Sequence, residues 1–120
     1  MKKYFESIHN IGDLYIAETL MEYDNHPILF ICRNANNVEY ICLCYEYRKS
    51  QEWIVKKVDS ATIGKMKSGK ISIYSVFENG ADDIINITFS IDGSTFYEVT
   101  SINKLNKYNP LALPDKSVFL

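Results

Sequence analysis

Between Leu14 and Tyr47 the chain runs in short blocks of Ile, Val, Leu, Tyr, Phe and Cys, punctuated by Asp, Asn and Pro, a pattern that predicts strands. Leu14 to Tyr23 is the first expected strand, ended by Asp24-Asn25-His26-Pro27, and Ile28 to Asn34 is the second. Ala35-Asn36-Asn37 then reads as a three-residue hairpin loop with Asn37 left-handed. Val38 to Tyr47 follows, with Val38, Tyr40, Cys42 and Cys44 on one face and Ile41, Leu43, Tyr45 and Tyr47 on the other. A 34:38 pairing sets Cys32 opposite Tyr40 and Phe30 opposite Cys42. Both faces are largely apolar, which places this strand centrally. Glu52 to Val58 returns beside it, with Trp53 and Val55 sharing a face.

At Asp59-Ser60 the period changes. Ser60 is an expected N-cap, Ile63 and Met66 are three apart, Lys65 and Lys67 suit a last turn, and Gly69 suits a left-handed C′ position. A second helical turn is expected after Ser72, with Ile73, Val76 and Phe77 on one face and Gly80 closing it. Alternation resumes at Ile84 to Ile91, where Ile85, Ile87, Phe89 and Ile91 are expected to face inward. Asp92-Gly93 turns the chain into Phe96 to Thr100. The tail from Asn109, with Pro110 and Pro114, reads as extended and pinned by Leu111, Leu113, Val118 and Phe119. Together these elements predict one α+β domain over residues 1–120. It is a mostly antiparallel sheet of five or six strands, with a short helical segment between the fourth and fifth strands.

The spacing of Tyr23-Asp24 before Pro27, Leu29-Phe30 with Cys32 and Asn34, Tyr40, the lone Trp53, Ile63 through Ser68-Gly69-Lys70-Ile71, Phe77, Leu113-Pro114 and Val118-Phe119-Leu120 resembles an uncharacterised family of small bacterial domains of unknown function. The resemblance spans most of the chain. It implies a bacterial or phage setting and a standalone domain, and it assigns no active-site residue.

Composition narrows the chemistry. A formal net charge of −2 gives no general attraction to nucleic acid or anionic lipid, and no basic nucleic-acid signature is readable. No apolar run reaches the roughly 18 residues of a membrane span, and Glu6 interrupts the start before a signal-like apolar stretch can form. A cytoplasmic setting is the expectation, and the three cysteines, an odd number, fit a reduced state better than a disulfide framework. Cys42 and Cys44 project to one face, but His9 and His26 stand in separate turns, so a zinc site lacks its ligands and buried inert thiols are expected. The acidic group Glu78, Asp82 and Asp83 has neither calcium-loop spacing nor a phosphate loop beside it, and the Asn86-Ile87-Thr88 sequon lies within a strand. No cofactor, metal or catalytic residue is assigned.

Two features stand above this background. Residues 48–70 hold seven basic side chains against two acidic ones inside an acidic chain. Nine tyrosines exceed what the core of a domain this size needs, so some must reach the surface. Arg48, Lys49, Lys56 and Lys57 beside Trp53, Tyr45 and Tyr47, with Tyr97 adding to the aromatic face, are therefore the expected partner-binding residues: an aromatic hot spot ringed by steering cations. The function expected is a non-enzymatic interaction domain binding a protein partner, of the immunity, antitoxin or defence-regulator kind. A binder of a small anionic or nucleotide-like ligand is the alternative from another class, and an enzyme with an unrecognised site is a third. Nucleic acid and membrane are not expected partners, and self-association stays open.

Overall fold

Seven strands form one antiparallel sheet in strict chain order, each pairing only with its neighbours in sequence. The structure is a computed structural model and describes residues 1–48, 50–78, 84–108 and 112–120. The strands are β1 (Lys2–Ile8), β2 (Gly12–Tyr23), β3 (His26–Arg33), β4 (Glu39–Glu46), β5 (Gln51–Lys57), β6 (Ile84–Phe89) and β7 (Thr95–Thr100). Helices α1 (Ser60–Lys67) and α2 (Ile73–Glu78) lie between β5 and β6, and α3 (Ile102–Tyr108) follows β7.

This corrects the expected α+β domain of five or six strands with helix between the fourth and fifth. The additional element is β1. Its buried residues Phe5 and Ile8 are three apart, its ladder with β2 shifts register twice, and Ser7 has φ 54°, so it lacks the two-residue alternation that marks a strand. Counting it moves the helical segment to the position after β5. The polar run of α3 carries equally little signal; its start is tied locally, where the Lys104 N–H donates to the Ser101 hydroxyl at 3.2 Å.

Elsewhere local chemistry and pairing agree. Cys32 lies opposite Tyr40 and Phe30 opposite Cys42, and Asn37 is left-handed with φ 60°. Asn34 holds that hairpin loop: its side-chain oxygen accepts from the N–H groups of Asn36 and Val38, both at 3.0 Å. The N-cap of α1 is Asp59, one residue before the expected Ser60; its carboxylate accepts from the Thr62 N–H at 2.7 Å, a bond that holds its pKa below the usual aspartate value. Gly69, with φ 75°, supplies the left-handed residue past the end of that helix. Strand β6 stops at Phe89, and Ile91, expected to face inward, sits in the β6–β7 turn 86% exposed. In the tail Leu113 is buried beside Ala112, but Val118 and Phe119 are exposed; the Val118 carbonyl instead accepts from the Ile73 N–H at 3.2 Å. The expected roles of Gly80, Asn109, Pro110 and Leu111 fall outside the described residues, as do Asp82 and Asp83.

The two sheet faces carry separate cores. On one, Leu29, Ile31, Ile41, Leu43 and Ile54 pack against Ile63 and Met66 of α1, Ile73, Val76 and Phe77 of α2, and Leu105 of α3. The other is aromatic, built on Phe5, Phe30, Trp53 and Ile87 with Cys32 and Cys42. On that aromatic face the sheet curls into a half-barrel. In a flat sheet β1 and β5, four strands apart, would be separated by about 19 Å. Yet the ring centroids of Phe5 and Trp53 are 5.5 Å apart, and Phe5 lies 5.7 Å from Phe89 of β6. The Tyr97 hydroxyl of β7 donates to the Glu6 carbonyl of β1 at 2.7 Å, linking the two ends of the sheet. Register shifts concentrated in the β1–β2 and β2–β3 ladders supply the bending.

Candidate binding surfaces

Strand alternation and the curl together distribute the residues expected to form one binding face. Trp53 is 1% exposed, part of the aromatic core with Tyr4, Phe5 and Phe30 around it, and not a surface hot spot. Lys56 faces the helices with Ile54; it is 4% exposed, and its ammonium donates to the carbonyls of Val76 at 3.3 Å and Phe77 at 3.0 Å. Those carbonyls belong to the last turn of α2, so this lysine closes a helix end where a cation is favoured. Arg48 and Lys57 are exposed but stand at opposite ends of β5, Arg48 before its start and Lys57 as its last residue, and the strand spans about 20 Å. Lys67 is engaged by both carboxylate oxygens of Glu18, at 2.8 and 2.9 Å. Lys49 lies outside the described residues. The basic run thus does not converge on one described surface.

The aromatic half of the expected face fares differently. The β4–β5 ladder shifts register between Cys44 and Glu46, leaving Tyr45 as the extra residue. Tyr45 stays on the helix face, half-buried, and its hydroxyl donates to the Asn86 side-chain oxygen at 2.6 Å. Burial, with Glu52 nearby, pushes its pKa up to about 12, so it remains a neutral phenol. Tyr47, past the shift, swings to the opposite face. There it meets Tyr23, with ring centroids 5.9 Å apart, at the mouth of a recess of about 90 Å³. Tyr4, Trp53, Cys44, His26 and Gln51 also line this recess. Trp53 Nε1 is the one buried side-chain polar atom among the described residues without a hydrogen-bond partner. Leaving a buried donor unpaired costs about 1–3 kcal/mol.

A second hollow, of about 420 Å³, opens on the helix face between the sheet and α3, lined by Tyr45, Glu52, Asn86, Glu98 and Lys104. Glu52 accepts from the Thr88 hydroxyl at 3.2 Å and Glu98 pairs with Lys104 at 3.7 Å. An anionic ligand entering it would meet two carboxylates. This hollow therefore does not suit the small-anion reading.

The thiols follow the burial expectation in part: Cys32 and Cys42 are fully buried, Cys44 half-buried, and all three are free. Burial pushes Cys42 well up, with Cys32 beside it adding to the effect, and raises Cys44 to about 11. A thiol near 11 is roughly one-thousandth thiolate at pH 8. Native labelling with a disulfide reagent at pH 8 should therefore begin at Cys44 and run about two orders of magnitude slower than with a free thiol. Fast labelling of Cys32 or Cys42 would contradict this burial. Among the described residues no three His, Cys, Asp or Glu side chains converge as metal ligands, and no helix is long and apolar enough to cross a membrane.

The two edges of the sheet differ in a way that no local pattern announces. Edge β1 carries Lys2, Lys3 and Glu6, two register shifts and a left-handed serine, devices that keep an edge from pairing with another chain. Edge β7 carries a single charged side chain, Glu98, with no register shift and no left-handed residue. Its ladder with β6 is unbroken from Ile84↔Thr100 to Phe89↔Thr95, and it contains no lysine and no proline. Phe96 is 60% and Val99 65% exposed, one on each face of the strand. The signal in the sequence is a pair of apolar residues at both parities of a short strand, but whether they are buried depends on what lies beyond β7.

No protein-family model matches the chain, and no match is found among curated proteins or solved structures, so the resemblance to a small bacterial family rests on its residue pattern alone.

Proposed function

We propose that this chain is a non-enzymatic interaction domain that binds a protein partner by strand addition at β7. The observation carrying this reading is the contrast between a protected β1 edge and an open β7 edge flanked by exposed Phe96 and Val99. An extended segment laid along β7 gains main-chain hydrogen bonds, while Val99 and Phe96 offer apolar surface on the two faces for its alternate side chains. The immunity or defence-regulator role belongs to the same proposal: such a domain acts by masking a partner, which needs a surface and no chemistry. Arg48, Tyr47 and Lys57, all exposed, steer or rim the encounter and do not form its centre.

Val99→Lys tests it. The side chain is exposed, so stability should move by no more than about 0.5 kcal/mol. Affinity capture from the source cells should lose its specific partner with Val99→Lys and keep it with Lys57→Glu. Equal capture by both folded variants would refute β7 as the surface. Sedimentation of the isolated chain before and after Val99→Lys shows whether the added strand comes from a second copy.

A further inference from the structure

We infer that the segment received by β7 carries an arginine between two apolar residues, with the guanidinium beside Glu98 and Phe96 and the apolar neighbours against Val99 and Tyr97. This rests on strand addition at β7 and names the chemistry of the added strand. The β6–β7 register divides the edge strand by face. Glu98 pairs with Asn86 and Phe96 with Thr88 on the helix face, whereas Tyr97 pairs with Ile87 and Val99 with Ile85 of the aromatic core.

The two faces ask for different side chains. Val99 is exposed, and Tyr97 has already given its hydroxyl hydrogen to the Glu6 carbonyl, so what these two offer a neighbouring strand is apolar contact. On the helix face Glu98 lines the 420 Å³ hollow together with Glu52. Burial raises the Tyr45 pKa and both carboxylates add to the rise, so the two charges act on the same hollow. Lys104 also lines it and meets Glu98 at 3.7 Å, but both side chains are more than half exposed, a loose surface pair. Two carboxylates against one ammonium leave the lining at −1. Phe96 stands two residues from Glu98 on the same face, about 7 Å along the strand, with its ring open to solvent. A carboxylate beside an open ring suits a guanidinium, whose flat fork pairs with the first and stacks on the second better than an ammonium does. A second copy of the chain does not supply it: Glu98 is the only charged residue of β7, and the lysines of β1 sit on the edge that bulges guard. The added strand therefore belongs to a different protein.

The nitrogen-15-labelled full chain is titrated with three capped peptides, Val-Thr-Val-Xaa-Val-Thr-Val, in which Xaa is arginine, leucine or glutamate, while the amide cross-peaks of Thr95–Thr100 are followed. At about 10 mM salt the arginine peptide should bind about tenfold more tightly than the glutamate peptide, with the leucine peptide between them. At about 1 M salt, where the screening length is about 3 Å, the ratio should shrink to about twofold. Glu98→Gln, at a side chain 63% exposed, should keep the fold, shrink the ratio in the same way and leave the leucine peptide unaffected. If all three peptides shift the β7 amides with one Kd at low salt, strand addition stands and the arginine preference is overturned. If none shifts them, strand addition itself fails and the preference with it. A dimer of the free chain that is lost in Val99→Lys would assign the edge to a second copy and overturn the preference as well.

Discussion

Lys56→Glu should unfold the protein under conditions where Lys57→Glu leaves it folded. The two lysines are adjacent in β5, but alternation turns one toward the helices and the other to solvent. Lys56 Nζ donates to the final carbonyls of α2 from within the core, and a glutamate there would bury a negative charge against carbonyl oxygens. Breaking a buried charged interaction costs about 3–5 kcal/mol, a large part of the roughly 5–15 kcal/mol by which domains are stable. Lys56→Met should cost less, about 1–3 kcal/mol, because it leaves the α2 carbonyls unpaired but buries no charge of its own. Urea midpoints of the three variants check this. If Lys56→Glu and Lys57→Glu share the wild-type midpoint, the Lys56 side chain lies in solvent and α2 does not pack on β5 as described.

The other large effect is expected at Phe30. Its ring is fully buried at the centre of the aromatic core, 5.0 Å from Tyr4, 5.1 Å from Trp53 and 6.1 Å from Phe5 between centroids. Phe30→Ala removes those ring pairings and opens a cavity between β1 and β5, so it should cost about 3–5 kcal/mol. Phe89, on the same face but half-buried, should cost less when cut to alanine, and Ile91→Ala in the exposed turn should stay within about 0.5 kcal/mol. Thermal or urea unfolding ranks the three. A cost at Ile91 equal to that at Phe30 would mean that β6 continues past Phe89 into the core.

Where side chains alternate cleanly, the strands are legible in the residue pattern alone. Val38 to Tyr47 divides its two faces as expected as far as Tyr45, and the Asn34 hairpin fixes the β3–β4 register to the residue. Legibility ends where a bulge breaks the alternation. The shift after Cys44 sends Tyr47 away from Tyr45, and the shifts in β1 hide a whole strand. Burial is illegible for a different reason. A lysine among apolar neighbours ordinarily implies an edge or a surface, and only the arrival of α2 over β5 supplies the carbonyls that make Lys56 a core residue. Trp53 reads as part of a surface face because nothing local reveals that β1, four strands away along the ladder, folds back over it. The open edge at β7 is likewise a property of the whole sheet, visible only once its order is known.

Hydrogen–deuterium exchange, comparing the free domain with its complex with the captured partner, tests strand addition most directly. If a segment adds to β7, the amides of Thr95–Thr100 that face away from β6 should slow markedly on binding, while those of β1 keep their free rates. Protection confined to the segment around Tyr47 and Arg48, with β7 exchanging as in the free domain, would contradict the account and return the binding surface to the β4–β5 end of the sheet.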